Sequence, residues 1–142
     1  MKLPVAILGA ALACAACNAA SAVSDADTIE NGLRDASSVS FYFVSRTENY
    51  DYDAKKIQSD AGVVVRRSCG ANCHNFMGAV LASLRASKST KCQPGQQDLL
   101  ITFGGDQLTY SYSGRQAMYR GRCYFNPQSI HKVLMTDGFF FH

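Results

Sequence analysis

The spacing of apolar and polar residues predicts a chain of short helices and strands. Asp25 to Ala36 has apolar residues at the spacing of one helical face and acidic residues in its first turn, which predicts a helix. Ser38 to Ser45 alternates and is rich in β-branched and aromatic residues, which predicts a strand, and Val63 to Arg67 predicts a second strand. Thr47 to Asp60 is polar and predicts a long loop.

The clearest helical pattern in the chain covers Cys73 to Ala86. Its apolar residues fall on one face at helical spacing, and polar residues lie elsewhere. The apolar face consists of Cys73, Phe76, Val80, Leu81 and Leu84. We therefore expect one long helix here, followed by a loop from Ser87 to Gln97.

The C-terminal part predicts a three-stranded meander and a short helix. Leu99 to Phe103 and Leu108 to Tyr112 flank Gly104-Gly105-Asp106, which is a strong hairpin signal. Ala117 to Phe125 predicts the third strand of the meander. Asn126-Pro127 is typical of a helix start and predicts a terminal helix. The residues expected to face the core from this helix are Ile130, Val133 and Leu134.

These elements together predict an α+β fold. We expect a largely antiparallel sheet, made of the N-terminal strands and the C-terminal meander, packed on one long helix. The composition is ordinary for a globular protein, with 47% hydrophobic and 18% charged residues among 142. That length is sufficient for one domain with a modest core.

The N-terminus resembles a secretory signal. Leu3 to Ala13 is an apolar run of about 11 residues without a charge, whereas a transmembrane helix needs roughly 20. Ala20-Ser21-Ala22 presents small residues at the two positions that signal peptidase recognises. We therefore expect residues 1–22 to be removed and residues 23–142 to form a single exported domain, periplasmic or secreted.

A second processing site competes with the first. The residues from Ala10 to Cys14 resemble a bacterial lipobox, although Ala11 stands where such motifs usually have a larger aliphatic residue. Lipid on Cys14 would make the protein an outer-membrane lipoprotein. The chain has six cysteines, and lipidation of Cys14 would leave Cys17 without a partner. Cleavage after Ala22 leaves four, and this even number favours the lipid-free form.

The four remaining cysteines, Cys69, Cys73, Cys92 and Cys123, are predicted to form two disulfides, because export places them in an oxidising compartment. Cys73 lies on the core-facing stripe of the predicted long helix, and Cys123 alternates with an apolar residue of the last strand. This mildly favours a helix-to-sheet bridge Cys73–Cys123 with Cys69–Cys92. The rival scheme, Cys69–Cys73 with Cys92–Cys123, is nearly as well supported, and three pairings are possible in all.

The segment from Cys69 to His74 has a superficial likeness to a cofactor motif. Covalent haem attachment uses Cys-x-x-Cys-His, and here the spacer is one residue longer. A zinc site would need thiolates that are expected to be oxidised in this compartment. We therefore expect no cofactor, no metal and no catalytic residue in this segment.

Charge is distributed unevenly along a chain whose net charge is +3. Residues 23–60 contain eight acids and four bases, whereas residues 61–142 contain three acids and nine bases. Both halves can simply be solvated, but each also offers a candidate binding surface. The acidic-aromatic loop comprises Tyr50, Asp51, Tyr52 and Asp53, and the basic strand face comprises Arg115, Arg120, Arg122 and Tyr124.

The sequence therefore predicts an exported, non-enzymatic protein-binding module. The combination of leader, small α+β domain and paired cysteines is similar to that of envelope inhibitors and immunity proteins, a likeness of architecture without a shared motif. One alternative is a small secreted hydrolase of the ribonuclease type, with His131 as a proton-transfer group. The other is a structural lipoprotein anchored at Cys14. A protein partner is expected, and nucleic acid is not, because of the predicted export.

Overall fold

The computed structural model describes residues 21–44, 53–93 and 97–136. None of the helices in these ranges is long and apolar enough to cross a membrane. A 3₁₀ turn at Gly70–Asn72 precedes α3. In chain order the helices and strands are α1 (21–35), β1 (Ser38–Phe43), α2 (Ala54–Asp60), β2 (Val63–Ser68), α3 (Cys73–Phe76), α4 (Gly78–Arg85), β3 (Lys88–Thr90), β4 (Gln97–Phe103), β5 (Asp106–Ser111), β6 (Gln116–Tyr119), β7 (Arg122–Phe125) and α5 (Ile130–Thr136).

The seven strands form one antiparallel sheet in the order β2-β1-β4-β5-β6-β7-β3. In the N-terminal half of the sheet, Phe41 of β1 lies opposite Val65 of β2 and Ile101 of β4. β3 is an edge strand that pairs with β7, so that Ser89 lies opposite Tyr124. The predicted α+β fold with a largely antiparallel sheet is confirmed.

The main hydrophobic core lies between one face of the sheet and the helices α1, α3, α4 and α5. It contains alternate strand residues such as Phe41 and Ile101, which face helix residues such as Ile29 and Leu84. The opposite face of β4 carries Leu100, which packs with Ile57 of α2 in a smaller cluster. Helix α2 thus covers part of the second face, near β4.

Helix α2 replaces part of the loop that was predicted for Thr47 to Asp60. Asp53 caps its N-terminus, because the Oδ1 atom accepts a hydrogen bond of 2.8 Å from the backbone N–H of Lys56. Ile57 is fully buried. A seven-residue helix with one buried side chain leaves almost no periodic signal in the sequence, which explains the wrong prediction.

The long helix predicted for Cys73 to Ala86 is not continuous. α3 and α4 are separated at Met77, whose backbone (φ −89°, ψ 12°) leaves the helical range and whose N–H donates to the carbonyls of Cys73 and Asn75. Gly78 follows, a residue with low helix propensity. The apolar residues predicted for one helical face still belong to the main core, Cys73 from α3 and Val80, Leu81 and Leu84 from α4. The longest helix in the described ranges is α1.

The strand predicted for Ala117 to Phe125 is a hairpin of β6 and β7. Arg120 (φ 49°) and Gly121 (φ 78°) both adopt left-handed backbone conformations between the strands, as a tight two-residue hairpin turn requires. The loop predicted for Ser87 to Gln97 contains the short edge strand β3. The predicted hairpin around Gly104 is confirmed as β4 and β5.

The described part of the chain contains two disulfides, Cys69–Cys73 and Cys92–Cys123, with Cα–Cα distances of 4.9 and 5.2 Å. The favoured bridge Cys73–Cys123 is therefore wrong, and the rival scheme is correct. Cys73 is buried on the helix side of the sheet. Cys123 alternates with Tyr124, which faces the helices, so the Cys123 side chain lies on the opposite face of the sheet.

Candidate binding groove

An open groove of about 240 Å³ lies beside the β3 edge of the sheet. One wall is the end of β3 and the residues that follow it, and the other is the turn between β5 and β6. Phe125 of β7 lies between the two walls, on the face of the sheet away from α1. The lining residues are Thr90, Lys91, Gln93, Ser111, Tyr112, Ser113, Arg115, Gln116 and Phe125.

The β5–β6 turn is held in place by backbone hydrogen bonds. The N–H of Gly114 donates to the carbonyl of Ser111 at 2.7 Å, and the carbonyl of Gly114 accepts from the N–H of Ile130 at 2.7 Å. The carbonyl of Arg115 accepts from the N–H of Asn126 at 2.8 Å. Gly114 has φ +70°, and a Cβ atom there would lie 2.8 Å from Cδ2 of His131. Only glycine fits this close approach of the turn to α5.

The opposite wall is held by the sheet and a disulfide. Thr90 lies opposite Cys123 in the β3–β7 pair, and Cys92 is bonded to Cys123. The bridge thus fixes the residues after β3 to the neighbouring strand, including Lys91 next to Cys92. Both walls are attached to the same rigid sheet, so the groove needs little rearrangement to accept a ligand.

The chemistry of the groove is cationic and aromatic. Lys91 and Arg115 are exposed, and neither forms an ion pair with another described residue. Tyr112 and Phe125 are 59% and 44% exposed. No acidic residue lines the groove in the described part of the chain. The groove therefore combines positive charge with apolar surface, a combination that suits a carboxylate flanked by apolar groups.

Side-chain amides add hydrogen-bonding capacity. The Nε2 atom of Gln116 is buried and has no hydrogen-bond partner among the described residues. Gln97 lies opposite Ser111 in the β4–β5 pair, is 3% exposed, and likewise has both amide atoms without a partner within the described ranges. Unsatisfied buried amides are costly, so a bound polar group or water would stabilise this part of the molecule.

The four residues of the basic strand face predicted from the sequence lie in three different places in the structure. Arg115 lies in the groove. Arg120 lies in the β6–β7 turn, where it pairs with Asp106 at 3.2 Å and stacks over the ring of Tyr119. Arg122 and Tyr124 face α1 instead, and Tyr124 is fully buried.

Arg122 and Tyr124 form an anchor with Asp25 of α1, called here the Asp25 anchor. Arg122 donates two hydrogen bonds of 2.7 Å to the carboxylate, and the hydroxyl of Tyr124 donates a third. Burial alone would raise the pKa of Asp25, but the hydrogen bonds from Arg122 and Tyr124 outweigh it and hold the pKa below its ordinary value. The hydrogen bonds that Arg122 donates to Asp25 raise the pKa of Arg122. These residues stabilise the packing of α1 on β7.

Within the acidic-aromatic loop, Asp53 is the N-cap of α2. Tyr50, Asp51 and Tyr52 lie outside the described residues, as does Cys14. The binding role predicted for the loop therefore stays a prediction.

His131 lies on α5, next to the β5–β6 turn that forms one wall of the groove. Its Nε2 atom is 3.3 Å from the carbonyl oxygen of Tyr112 and 4.0 Å from Oδ1 of Asp98. Because a carbonyl only accepts hydrogen bonds, this contact favours a proton on Nε2. The contacts hold α5 against the ends of β4 and β5.

The haem and zinc alternatives for the Cys69 to His74 segment both require cysteine sulfurs that are not bonded to each other. The sulfurs of Cys69 and Cys73 are bonded to each other and so offer no thiolate. Among the described residues, no three side chains of the metal-ligating types come together.

Of the nine groove residues only Arg115 belongs to a predicted site; the other eight, among them Lys91, Gln116 and Phe125, do not. They come from separate segments, and the groove exists only because β3 pairs with β7. The sequence around Lys91 carries no local signal for a groove, because its place there depends on the pairing of β3 with β7.

Comparison with known proteins gives no further guide to function. No family model matches the chain, and no curated protein or solved structure is significantly similar to it.

Proposed function

We propose that this chain is an exported protein-binding module, inhibitor- or immunity-like in role, that contacts an acidic surface of its partner through the groove. The observation that carries the proposal is the lining of the groove. Two exposed cations, which form no ion pair with any described residue, stand beside two exposed aromatic rings. The leader pattern and the two disulfides support export.

The size of the groove favours a protein partner over a small molecule. Pockets for small ligands usually measure roughly 300–1,000 Å³ and enclose most of the ligand. The groove is smaller, about 240 Å³, and open. It suits one or two side chains from a partner surface, with Tyr112 and Phe125 supplying apolar contact and Lys91 and Arg115 pairing with carboxylates. Aromatic residues and arginine are also the types most often found at the energetic centre of protein interfaces.

The test begins with capture of the partner from cell envelope and medium by the oxidised protein, with identification by mass spectrometry. The purified partner is then titrated with the wild type, the double variant Lys91→Ala/Arg115→Ala, and the matched control Lys55→Ala. Lys55 is an exposed cation on α2, outside the groove.

We expect the double variant to lose about tenfold or more in affinity, which corresponds to about 1.4 kcal/mol. Wild-type binding should weaken with added salt, and the double variant should depend on salt less. The Lys55→Ala control should bind within about twofold of wild type. Equal affinities for all three proteins would reject the groove as the contact surface.

The alternative functions predict other results. A ribonuclease-like hydrolase would turn over RNA or cell-wall substrate as a pure protein and lose this activity on His131→Ala. A structural lipoprotein would retain no partner from cell envelope or medium; lipid at Cys14 alone does not distinguish it from a membrane-anchored binding module.

A further inference from the structure

Helix α1 contains the bond at which cleavage of the leader was predicted. Residues 21 and 22 are helical, and Ala22 is 0% exposed. Ala22 begins a buried stripe that continues through Ala26, Ile29 and Leu33, at the spacing of one helical face. All four side chains belong to the main core. The packed surface of the domain therefore starts before Val23.

Ser21 also contacts the core. Its backbone carbonyl and its Oγ atom each lie 3.3 Å from the hydroxyl of Tyr124. Tyr124 is fully buried and is part of the Asp25 anchor. The first described turn of α1 thus helps to enclose a polar group that is otherwise surrounded by the core.

Cleavage after Ala22 would remove these contacts and create an unfavourable charge. Val23 would then carry the α-ammonium group at the positive end of the α1 dipole, where a positive charge is unfavourable. The first residues of the shortened helix would lose the buried contact of Ala22, and the hydroxyl of Tyr124 would lose Ser21. Residues that are removed on export cannot stabilise the mature domain, so the buried contacts of Ser21 and Ala22 indicate that these residues are retained.

We infer that the mature protein keeps Ser21 and Ala22, and that the leader is cut upstream of Ser21. This inference rests on the export that is part of the proposed function. It places the mature N-terminus at or before residue 21, so that the described buried stripe from Ala22 to Leu33 belongs to the exported domain. Cys14 is the upstream site that the sequence identifies.

The test is the intact mass and N-terminal sequence of the full chain after export, with fractionation to show that export took place. We expect a start at or before Ser21. A start at Cys14 with a lipid mass and a lipid-free start elsewhere before Ala22 both support the inference. A start at Ala22, at Val23 or at any later residue overturns it. A full-length, unexported chain rejects both the inference and the export in the proposed function, whereas loss of partner binding in groove variants affects only the proposed function.

A paired substitution separates the two processing routes. Ala20→Arg places a large residue where signal peptidase requires a small one for cleavage after Ala22. We expect this variant to be processed as efficiently as wild type. Accumulation of the unprocessed precursor with Ala20→Arg would place the cut after Ala20 or after Ala22, and the wild-type N-terminus, Ser21 or Val23, then decides whether the inference stands. Cys14→Ser is the matched comparison, and a block of processing by this variant alone identifies Cys14 as the site.

Discussion

Replacing Asp25 with Asn should destabilise the fold by loosening α1 from β7. Asp25 is 5% exposed and accepts two hydrogen bonds from Arg122 and one from Tyr124. Asp25→Asn keeps the shape of the side chain but removes its charge, and it turns one acceptor oxygen into a donor group. The donor groups of Arg122 and Tyr124 would then compete for one remaining oxygen.

The expected loss can be estimated from the exposure of the partners. Breaking a fully buried pair costs about 3–5 kcal/mol, and a hydrogen bond to a charged group is worth about 1.5–3 kcal/mol. The Arg122 side chain is 49% exposed, so water would compensate part of its loss. We therefore expect Asp25→Asn to lower the free energy of unfolding by about 2 kcal/mol, measured by urea denaturation at pH 7.

The effect should also depend on pH. The pKa of Asp25 is lowered in the folded protein, so its contribution is fully present above the unfolded pKa of about 3.9 and is lost as the pH falls through the folded pKa. The difference between wild type and Asp25→Asn should therefore shrink below about pH 4.

The matched control is Asp27→Asn. Asp27 pairs with Arg85 at 2.9 Å, but its side chain is 58% exposed, and we expect a change below about 0.5 kcal/mol. A loss below about 0.5 kcal/mol for Asp25→Asn, or a loss that does not change between pH 7 and pH 3, would refute the importance assigned to the Asp25 anchor.

Three other changes test the local architecture. Gly114→Ala should lower the free energy of unfolding by about 2–4 kcal/mol in thermal or urea denaturation, because of the positive φ and the 2.8 Å contact with Cδ2 of His131; a neutral effect would contradict the tight turn. Thiol labelling of the unfolded, unreduced mature protein should modify none of the cysteines at positions 69, 73, 92 and 123, and two or more labelled sulfurs would contradict the two disulfides. Asp53→Ala should cost about 1 kcal/mol by loss of the α2 cap, and Asp53→Asn, which also caps, should restore most of it.

Much of the fold follows from short-range signals in the sequence. The two glycines of the β4–β5 turn have φ of 51° and 81°, which few other residues adopt, and this is why the hairpin was predictable. The alternation in β1 and the apolar spacing along α1 are equally local. Each of these signals concerns residues that contact one another within a few positions of the chain.

The missed elements depend on contacts that are distant in the chain. Lys88–Thr90 has no apolar alternation and becomes a strand only by pairing with β7. Because β3 was predicted to be loop, nothing in the sequence favoured the scheme with Cys92–Cys123 over its competitor. The same omission concealed the groove, one wall of which follows β3.

The basic strand face shows most clearly where inference from the sequence ends. Alternation correctly separates Arg122 and Tyr124 from Cys123 and Phe125, but it does not tell which pair faces the helices. The orientation is determined by Asp25, 97 residues before Arg122. The buried carboxylate of Asp25 requires the guanidinium of Arg122 and the hydroxyl of Tyr124 as partners. Two of the predicted binding residues therefore stabilise the fold. The exposed side of β7 presents Phe125, and the proposed recognition of an acidic partner accordingly moves to the groove around it.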